Sequence, residues 1–195
     1  MKLYTSDLHF GHTSVINFDH RPFTDRDEMD ECLIKLWNDR VRPDDDVYIV
    51  GDVIFRSQKT VSWYMRQLKG HKHLIIGNHD RYWLYEKGKG YDKQSIECFD
   101  EIRHEDFITD TLKVDGREEK VNIHLCHYPL AEWDKYYHGG YLIHGHIHNR
   151  TDCDSFRYLK TQDRALNAAC CINNYTPCSL RELIENNRRF KDTHG

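Results

Sequence analysis

Histidine is the residue type that stands out in this chain, with fourteen in 195 residues. They are clustered: His9 and His12 near the start, His79 in the middle, then His124, His127, His144, His146 and His148 close together. An ordinary core has little use for so many imidazoles, since each buried ring must find hydrogen-bond partners. Metal binding and proton transfer do use them. Carboxylates and an amide accompany the histidines in Asp7-Leu8-His9, Gly51-Asp52, Gly77-Asn78-His79-Asp80, His127-Tyr128-Pro129 and Gly145-His146-Ile147-His148.

Imidazole, carboxylate and amide oxygen without thiolate form a mixed N/O donor set, which suits Mn, Fe, Zn or Ni better than Ca or an iron–sulfur cluster. More donors are offered than one ion takes. Two ions roughly 3.5–4 Å apart, sharing a bridging carboxylate, would use them all. Asp-x-His and His-x-His put both donors on one face if the segment is extended, because side chains then alternate with period two. The glycines at 51, 77 and 145 suit sharp backbone turns. Taken singly the motifs are ordinary; Gly-Asp after a strand is common turn chemistry. Their joint occurrence is what carries the metal reading.

Each motif sits where an apolar run stops. Lys2-Leu3-Tyr4-Thr5-Ser6, Val47-Tyr48-Ile49-Val50, His73-Leu74-Ile75-Ile76, Val121 to Cys126 and Tyr141-Leu142-Ile143-His144 read as strands. Met29, Cys32, Leu33, Leu36 and Trp37 have the 3/4 spacing of an amphipathic helix within 25–40. Val61 to Leu68 reads as a second helix, and Ser179-Leu180-Arg181-Glu182 opens a capped closing one. Asp115-Gly116 marks a hairpin between 107–114 and 121–126, with a somewhat longer charged loop. Ala165 to Ile172 adds one more strand. The first half is β-α-β-α-β and the second mainly β, which predicts one α/β domain over 1–195 with a mixed sheet system covered by helices. Ligands of open α/β sheets gather outside the carboxyl ends of the strands. Asp52 and Asn78 lie 26 residues apart, the length of one helix plus one strand, so neighbouring parallel strands would deliver them side by side.

Composition narrows the function classes. The net charge of −4 lacks the basic footprint of a duplex-binding protein, so nucleic acid is allowed as a partner but not favoured. No apolar run approaches the roughly 18 residues of a membrane span. The N-terminus has no apolar signal region before Asp7. Seven cysteines, an odd count without a C-x-x-C pair, fit neither a disulfide framework nor a zinc knuckle. A cytoplasmic chain with reduced thiols is expected.

Across Asp7 to His148 the five blocks resemble the calcineurin-like metallophosphoesterases, and the segment from Leu166 to Leu180 is similar to that of small bacterial and phage-type members. The resemblance implies a four-layer α/β/β/α sandwich of two mixed β-sheets flanked by helices, with a dinuclear metal site at the carboxyl ends of the strands. It implies that Asp7, His9 and His148 hold one ion, that Asn78, His127 and His146 hold the other, and that Asp52 bridges them. His79 matches the family's non-ligand histidine, which protonates the leaving alkoxide or positions the phosphate. The implied reaction is hydrolysis of a phosphomonoester or phosphodiester by a metal-bound hydroxide, with His79 assisting the leaving group. The substrate is then a phosphoester, nucleotide-derived ones included. Many members read Gly-Asp-x-x-Asp-Arg, whereas this chain reads Gly51-Asp52-Val53-Ile54-Phe55-Arg56. Phe55 cannot accept a hydrogen bond, so the group that orients His79 is open. Arg56 matches the family's arginine and is a candidate for a phosphate oxygen; His12, just past the first motif, is a second candidate substrate contact.

His124, His144, Trp133, Tyr136, Tyr137, Arg81, Tyr82 and Trp83 each fit core packing at least as well as a site. A nuclease or RNA-end phosphatase using the same residues is the first alternative, and a non-catalytic metal-binding scaffold the second. The presence of His79 beside all seven candidate ligands argues against the scaffold. Metal identity, mono- against diesterase preference, natural substrate and oligomeric state are not encoded legibly.

Overall fold

Leu3, Val47, Ile49 and Leu74 point to one side of a sheet and Tyr4, Tyr48, Val50 and Ile75 to the other, all of them buried. Burial on both faces is what a parallel sheet requires, and near-continuous apolar runs are its sequence form. The computed structural model describes residues 1–85 and 91–194. Its first sheet has the order β1 (Lys2–Thr5), β2 (Asp46–Ile49), β3 (His71–Ile75) and β4 (Glu101–Arg103), with every pairing parallel. Helices α1 (Thr13–Phe18), α2 (Arg26–Arg40) and α3 (Val61–Met65) connect its strands. They bury Val15, Met29, Leu33, Trp37, Tyr64 and Met65 in one core with Leu3, Val47 and Ile49. The Asp25 side chain caps α2 by accepting from the Glu28 N–H. Two short helices, α4 (Arg81–Leu84) and α5 (Lys93–Ile96), lie between β3 and β4.

The second sheet has the order β5 (Glu105–Val114), β6 (Arg117–Cys126), β7 (Tyr141–His144) and β8 (Ala165–Asn167). β5 and β6 pair antiparallel, while β6 with β7 and β7 with β8 pair parallel. The hairpin loop is shorter than the sequence suggests. Asp115 and Gly116 alone form it, at φ 49° and 81°, and pairing runs unbroken from Val114 opposite Arg117. Two left-handed residues match the twist of the flanking strands, so the charged residues expected in a loop extend β6 instead. The segment expected as one strand over 165–172 is β8 followed by a 3-10 turn, Cys170–Ile172.

The remaining helices are α6 (Asp154–Leu159) and α7 (Leu180–Thr193). α7 opens with a capping box in which Ser179 accepts from the Glu182 N–H and Glu182 accepts from the Ser179 N–H. Tyr4, Ile75, Ile123, Leu125, Ile143, Leu166, Leu180 and Leu183 form a core shared by both sheets and α7.

This corrects the expected architecture of two mixed sheets inside two helical layers. The first sheet is wholly parallel, and only the second is mixed. α7 packs against β1, β5 and β8, strands of both sheets, rather than covering one outer face. The cause is local: Cys178 pairs with Tyr4 through two backbone hydrogen bonds of 2.8 and 2.9 Å, which pins the start of α7 to the edge of β1. Among the described residues, the outer face of the second sheet is covered by short α6, the loop carrying Trp133 and Phe190 near the end of α7. The chain is α/β with one parallel and one mixed four-stranded sheet. No helix among the described residues is long and apolar enough to cross a membrane.

Candidate metal centre

The first residues beyond β1, β2, β3, β6 and β7 meet at one place. Backbone bonds lock these ends together: Asp7 N–H donates to Gly51 O at 3.0 Å, Ser6 N–H to Ala168 O at 2.9 Å and Gly145 N–H to His127 O at 3.0 Å. Asp7, His9, Asp52, His146 and His148 all have φ between 51° and 71°. That left-handed conformation costs most residues about 1–2 kcal/mol, and such strain gathers at functional sites. It also overturns the period-two argument. Asp7-Leu8-His9 and His146-Ile147-His148 are not extended; alternate residues turn left-handed, and the curled backbone is what brings both side chains of each pair to one centre. Three glycines permit the crowding, and at Gly77 a Cβ would lie 2.3 Å from Asp52 Oδ1. Gly51 sits at φ 89°, and a Cβ there would lie 2.2 Å from His127 Nδ1. Gly145 serves close approach rather than a turn, since a Cβ would lie 2.5 Å from Asp7 Oδ2.

The donors form two groups of buried side chains that could hold a metal ion, Asp7 with His9 and His148, and Asp7 with Asp52 and His127. His148 Nε2 lies 3.3 Å from Asp7 Oδ1 and 3.2 Å from His9 Nε2. Asp7 is common to both groups, and Asp52 Oδ2 of the second lies 3.6 Å from His9 Nε2 and 3.5 Å from His127 Nε2, so it reaches a ring of each. Asn78 Oδ1 adds a neutral oxygen, 3.1 Å from His127 Nε2 and 3.0 Å from His146 Nδ1. Of the expected ligands, all seven are therefore in one cluster, with His146 on its exposed side. His127 Nδ1–H donates to Val50 O at 2.8 Å and His148 Nδ1–H to Asp19 at 2.8 Å, which leaves Nε2 of each ring turned into the cluster.

The electrostatics ask for positive charge at two points. Burial alone would raise the Asp7 carboxyl, yet His148, His127 and His9 hold it well below the usual carboxylate range. Burial pulls His148 and His127 down, but Asp7 and Asp19 outweigh it at His148 and push it up to about 10, while Asp52 and Asp7 push His127 up to about 9. Burial and then His148 lower His9 to about 3, which keeps that ring neutral. Buried, charged carboxylates facing imidazole lone pairs fit transition-metal cations by donor chemistry and by charge.

His79 stands just outside these groups. Its Nε2 is 3.9 Å from Asp52 Oδ2, and its backbone N–H donates to Asp52 Oδ1 at 2.9 Å. Burial lowers its pKa, opposed by the charge of Asp52. The question of its orientation is answered by ring packing: the Phe55 ring centroid lies 4.0 Å from that of His79 with the planes tilted by 52°, and His9 meets it edge-on at 5.4 Å. Of the candidate substrate contacts, His12 is buried edge-on against Phe55 at 4.7 Å, and Arg56 is exposed with its guanidinium 5.2 Å from the Phe55 centroid. Asp80 is fully buried and ties its own loop to the Asp52 loop, accepting from the N–H groups of Gly77, Asp52 and Val53 at 2.8, 2.8 and 3.0 Å. Burial and the neighbouring Asp52 raise it to about 6. His124, bound to Glu105, and His144, whose Nδ1 donates to Gly145 O, are structural. Trp133 and Tyr136 are likewise spent on packing, with hydrogen bonds to Gly140 O and Gln162.

Sequence reasoning missed Asp19 and Arg21. Arg21 is buried, pairs with Asp19 Oδ2 at 3.0 Å, and donates to Leu8 O and Asp7 O at 3.0 and 2.9 Å. The pair grips both the first donor loop and His148. Asp19→Asn is expected to weaken binding of an ion at the Asp7, His9 and His148 group by about 10–100-fold, the usual effect of removing the partner that orients a ligating histidine. It should also cost about 3–5 kcal/mol by leaving buried Arg21 without its carboxylate. Titration of Mn²⁺ and thermal unfolding of the variant check both effects.

No protein-family model matches the chain. An uncharacterized protein of Methanocaldococcus jannaschii is 28% identical over 187 residues, covering 94% of this chain and 90% of that one. The gene 66 protein of Mycobacterium phage D29 is 29% identical over 165 residues, 75% of this chain and 78% of that protein. Among solved structures, a protein of unknown function from Aquifex aeolicus superposes with a TM-score of 0.62 at 27% identity, covering 95% of this chain and 98% of that one. These findings correct the resemblance drawn from the five motifs. No family model supports membership of the calcineurin-like metallophosphoesterases, and the relatives are named without a function, so the chain is not assigned to that family.

Proposed function

We propose that this chain is a metal-dependent hydrolase of phosphoester bonds, loaded with two transition-metal ions of the Mn, Fe, Zn or Ni class. The observation that carries the reading is the convergence of Asp7, His9, Asp52, Asn78, His127, His146 and His148 beside one further histidine, His79, that belongs to neither donor group. Asp7, His9 and His148 would hold one ion and Asn78, His127 and His146 the other, with Asp52 between them. When bound, such ions polarise phosphoryl oxygens and lower the pKa of water, which favours in-line displacement at phosphorus.

The chain's own residues supply the rest. Val50 O and Asp19 fix the His127 and His148 rings so that neither can swing out of the cluster. Phe55 and His9 hold the His79 ring at the edge, where an imidazole N–H can meet the departing ester oxygen. Hydrolysis forms one P–O bond from water and breaks the ester P–O bond. The departing alkoxide needs a proton, and His79 is the group placed to give it. Burial lowers the pKa of His79, so the share of the protonated ring that can act as the acid grows as pH falls.

The test is Mn²⁺-dependent hydrolysis of bis-p-nitrophenyl phosphate beside p-nitrophenyl phosphate, with a chelator control. Turnover of either, lost on chelation and restored by Mn²⁺, is the expected result. No turnover of either by ion-loaded protein would contradict the proposal.

A further inference from the structure

A pocket of about 460 Å³ opens beside the metal cluster with His79 in its wall. Phe55, Ile54, Tyr82 and Trp83 give it apolar and aromatic sides, and Arg56 and Lys59 supply cations. That volume falls within the roughly 300–1,000 Å³ of small-molecule sites, and apolar walls with a few placed polar groups are their usual make-up. Tyr82 is 61% exposed, an aromatic ring left without a core to fill. The floor is fixed. Phe10 N–H donates to Val53 O at 2.9 Å and Phe55 N–H to Phe10 O, which ties the 53–55 segment to the loop that carries His9. Ser57 Oγ lies 3.1 Å from the Tyr64 hydroxyl, anchoring the next residues to α3. Arg56 adopts φ 51°, a left-handed conformation in the same wall.

The phosphoesterase reading gives this pocket a direction, and the inference rests on that reading. His79 borders both the ion donors and the pocket, so a phosphoryl group at the donors would have its ester oxygen beside His79 and its organic substituent in the pocket. We infer that the pocket receives the substrate's leaving group, and that this group carries a flat aromatic ring, seated against Tyr82 and Phe55. The lining favours aromatic over aliphatic: Phe55, Tyr82, Trp83 and His79 put four rings around the cavity, and the cations of Arg56 and Lys59 in the same wall suit a π-face. Cations of this kind also suit the charge of an attached phosphate.

Non-hydrolysable phosphonates test this by calorimetry on the Mn²⁺-loaded protein. Methylphosphonate reaches the ions alone, cyclohexylmethylphosphonate adds a bulky apolar group, and benzylphosphonate adds a flat ring. Benzylphosphonate should bind about tenfold more tightly than methylphosphonate, the effect of one well-placed aromatic contact, with the cyclohexyl compound behind it. In Tyr82→Ala the benzyl-to-methyl ratio should fall to within about threefold. Tyr82 is exposed, so this variant keeps its core. Equal binding of benzyl and methyl compounds by the wild type, or a ratio unmoved by Tyr82→Ala, would overturn the pocket's role while leaving the metal reading intact. A cyclohexyl compound bound as tightly as the benzyl one would overturn the aromatic preference. Failure of all three to bind would overturn the phosphoesterase reading itself.

Discussion

Asp52→Asn is expected to empty both ion positions and to lower phosphoester turnover by at least about 10³-fold, since Lewis-acid polarisation supplies several kcal/mol and about 1.4 kcal/mol is worth tenfold in rate. The argument is geometric. Asp52 Oδ2 lies 3.6 Å from His9 Nε2 and 3.5 Å from His127 Nε2, one ring from each donor group. Asparagine keeps the shape and removes the charge, leaving Asp7 as the one anionic donor in either group. Its amide N–H₂ would also put donor hydrogens where a carboxylate oxygen now accepts. Elemental analysis of the purified variant reads the outcome, and retention of two ions would remove Asp52 from its bridging place.

His79→Ala should leave ion content full and cost about 10²–10⁴ in turnover, the usual range for a positioned acid. What His79 gives the cluster is its backbone N–H to Asp52 Oδ1 at 2.9 Å, and alanine keeps that bond. The ring itself touches Phe55 at a centroid distance of 4.0 Å and belongs to neither donor group. The loss should be smaller for a p-nitrophenyl ester, whose leaving oxygen departs readily without a proton, than for an alkyl ester. A uniform loss across leaving groups would make His79 a phosphate-positioning residue. Loss of an ion would make it a ligand.

Much of the centre is legible in the sequence because its residues follow strand ends, and strand ends are where apolar runs meet Gly, Asp, Asn and His. Each of the five motifs adjoins a strand of the structure. What could not be read is how those residues curl. An alternation such as Asp7-Leu8-His9 looks the same whether the backbone is extended or left-handed, and here it is left-handed at both donors. Asp19 and Arg21 escaped because they sit in a short polar stretch with no periodicity, and their meaning comes from contacts such as Asp19 with His148, far away in the chain. β4 is three residues long and owes its existence to pairing with β3, which no local pattern announces. The layering was misjudged for a similar reason. The 3/4 and period-two patterns tell which face of an element is apolar but not which sheet a helix serves, and α7 serves both through the Cys178–Tyr4 pairing.

The orienting role of Phe55 shows how a site can replace one kind of constraint with another. A carboxylate beside His79 would fix its ring by a hydrogen bond and raise its pKa. An aromatic ring fixes it by tilted ring-on-ring contact and leaves burial to lower the pKa. The same ring also forms part of the wall of the adjoining pocket.

The most direct test of a two-ion centre is the transition-metal content of the wild-type chain, measured by elemental analysis after reconstitution with excess Mn²⁺ and removal of unbound ion. The arrangement of Asp7, Asp52, Asn78 and the four imidazoles predicts two ions per chain. A content of zero, or of one ion that does not increase at saturation, would contradict it.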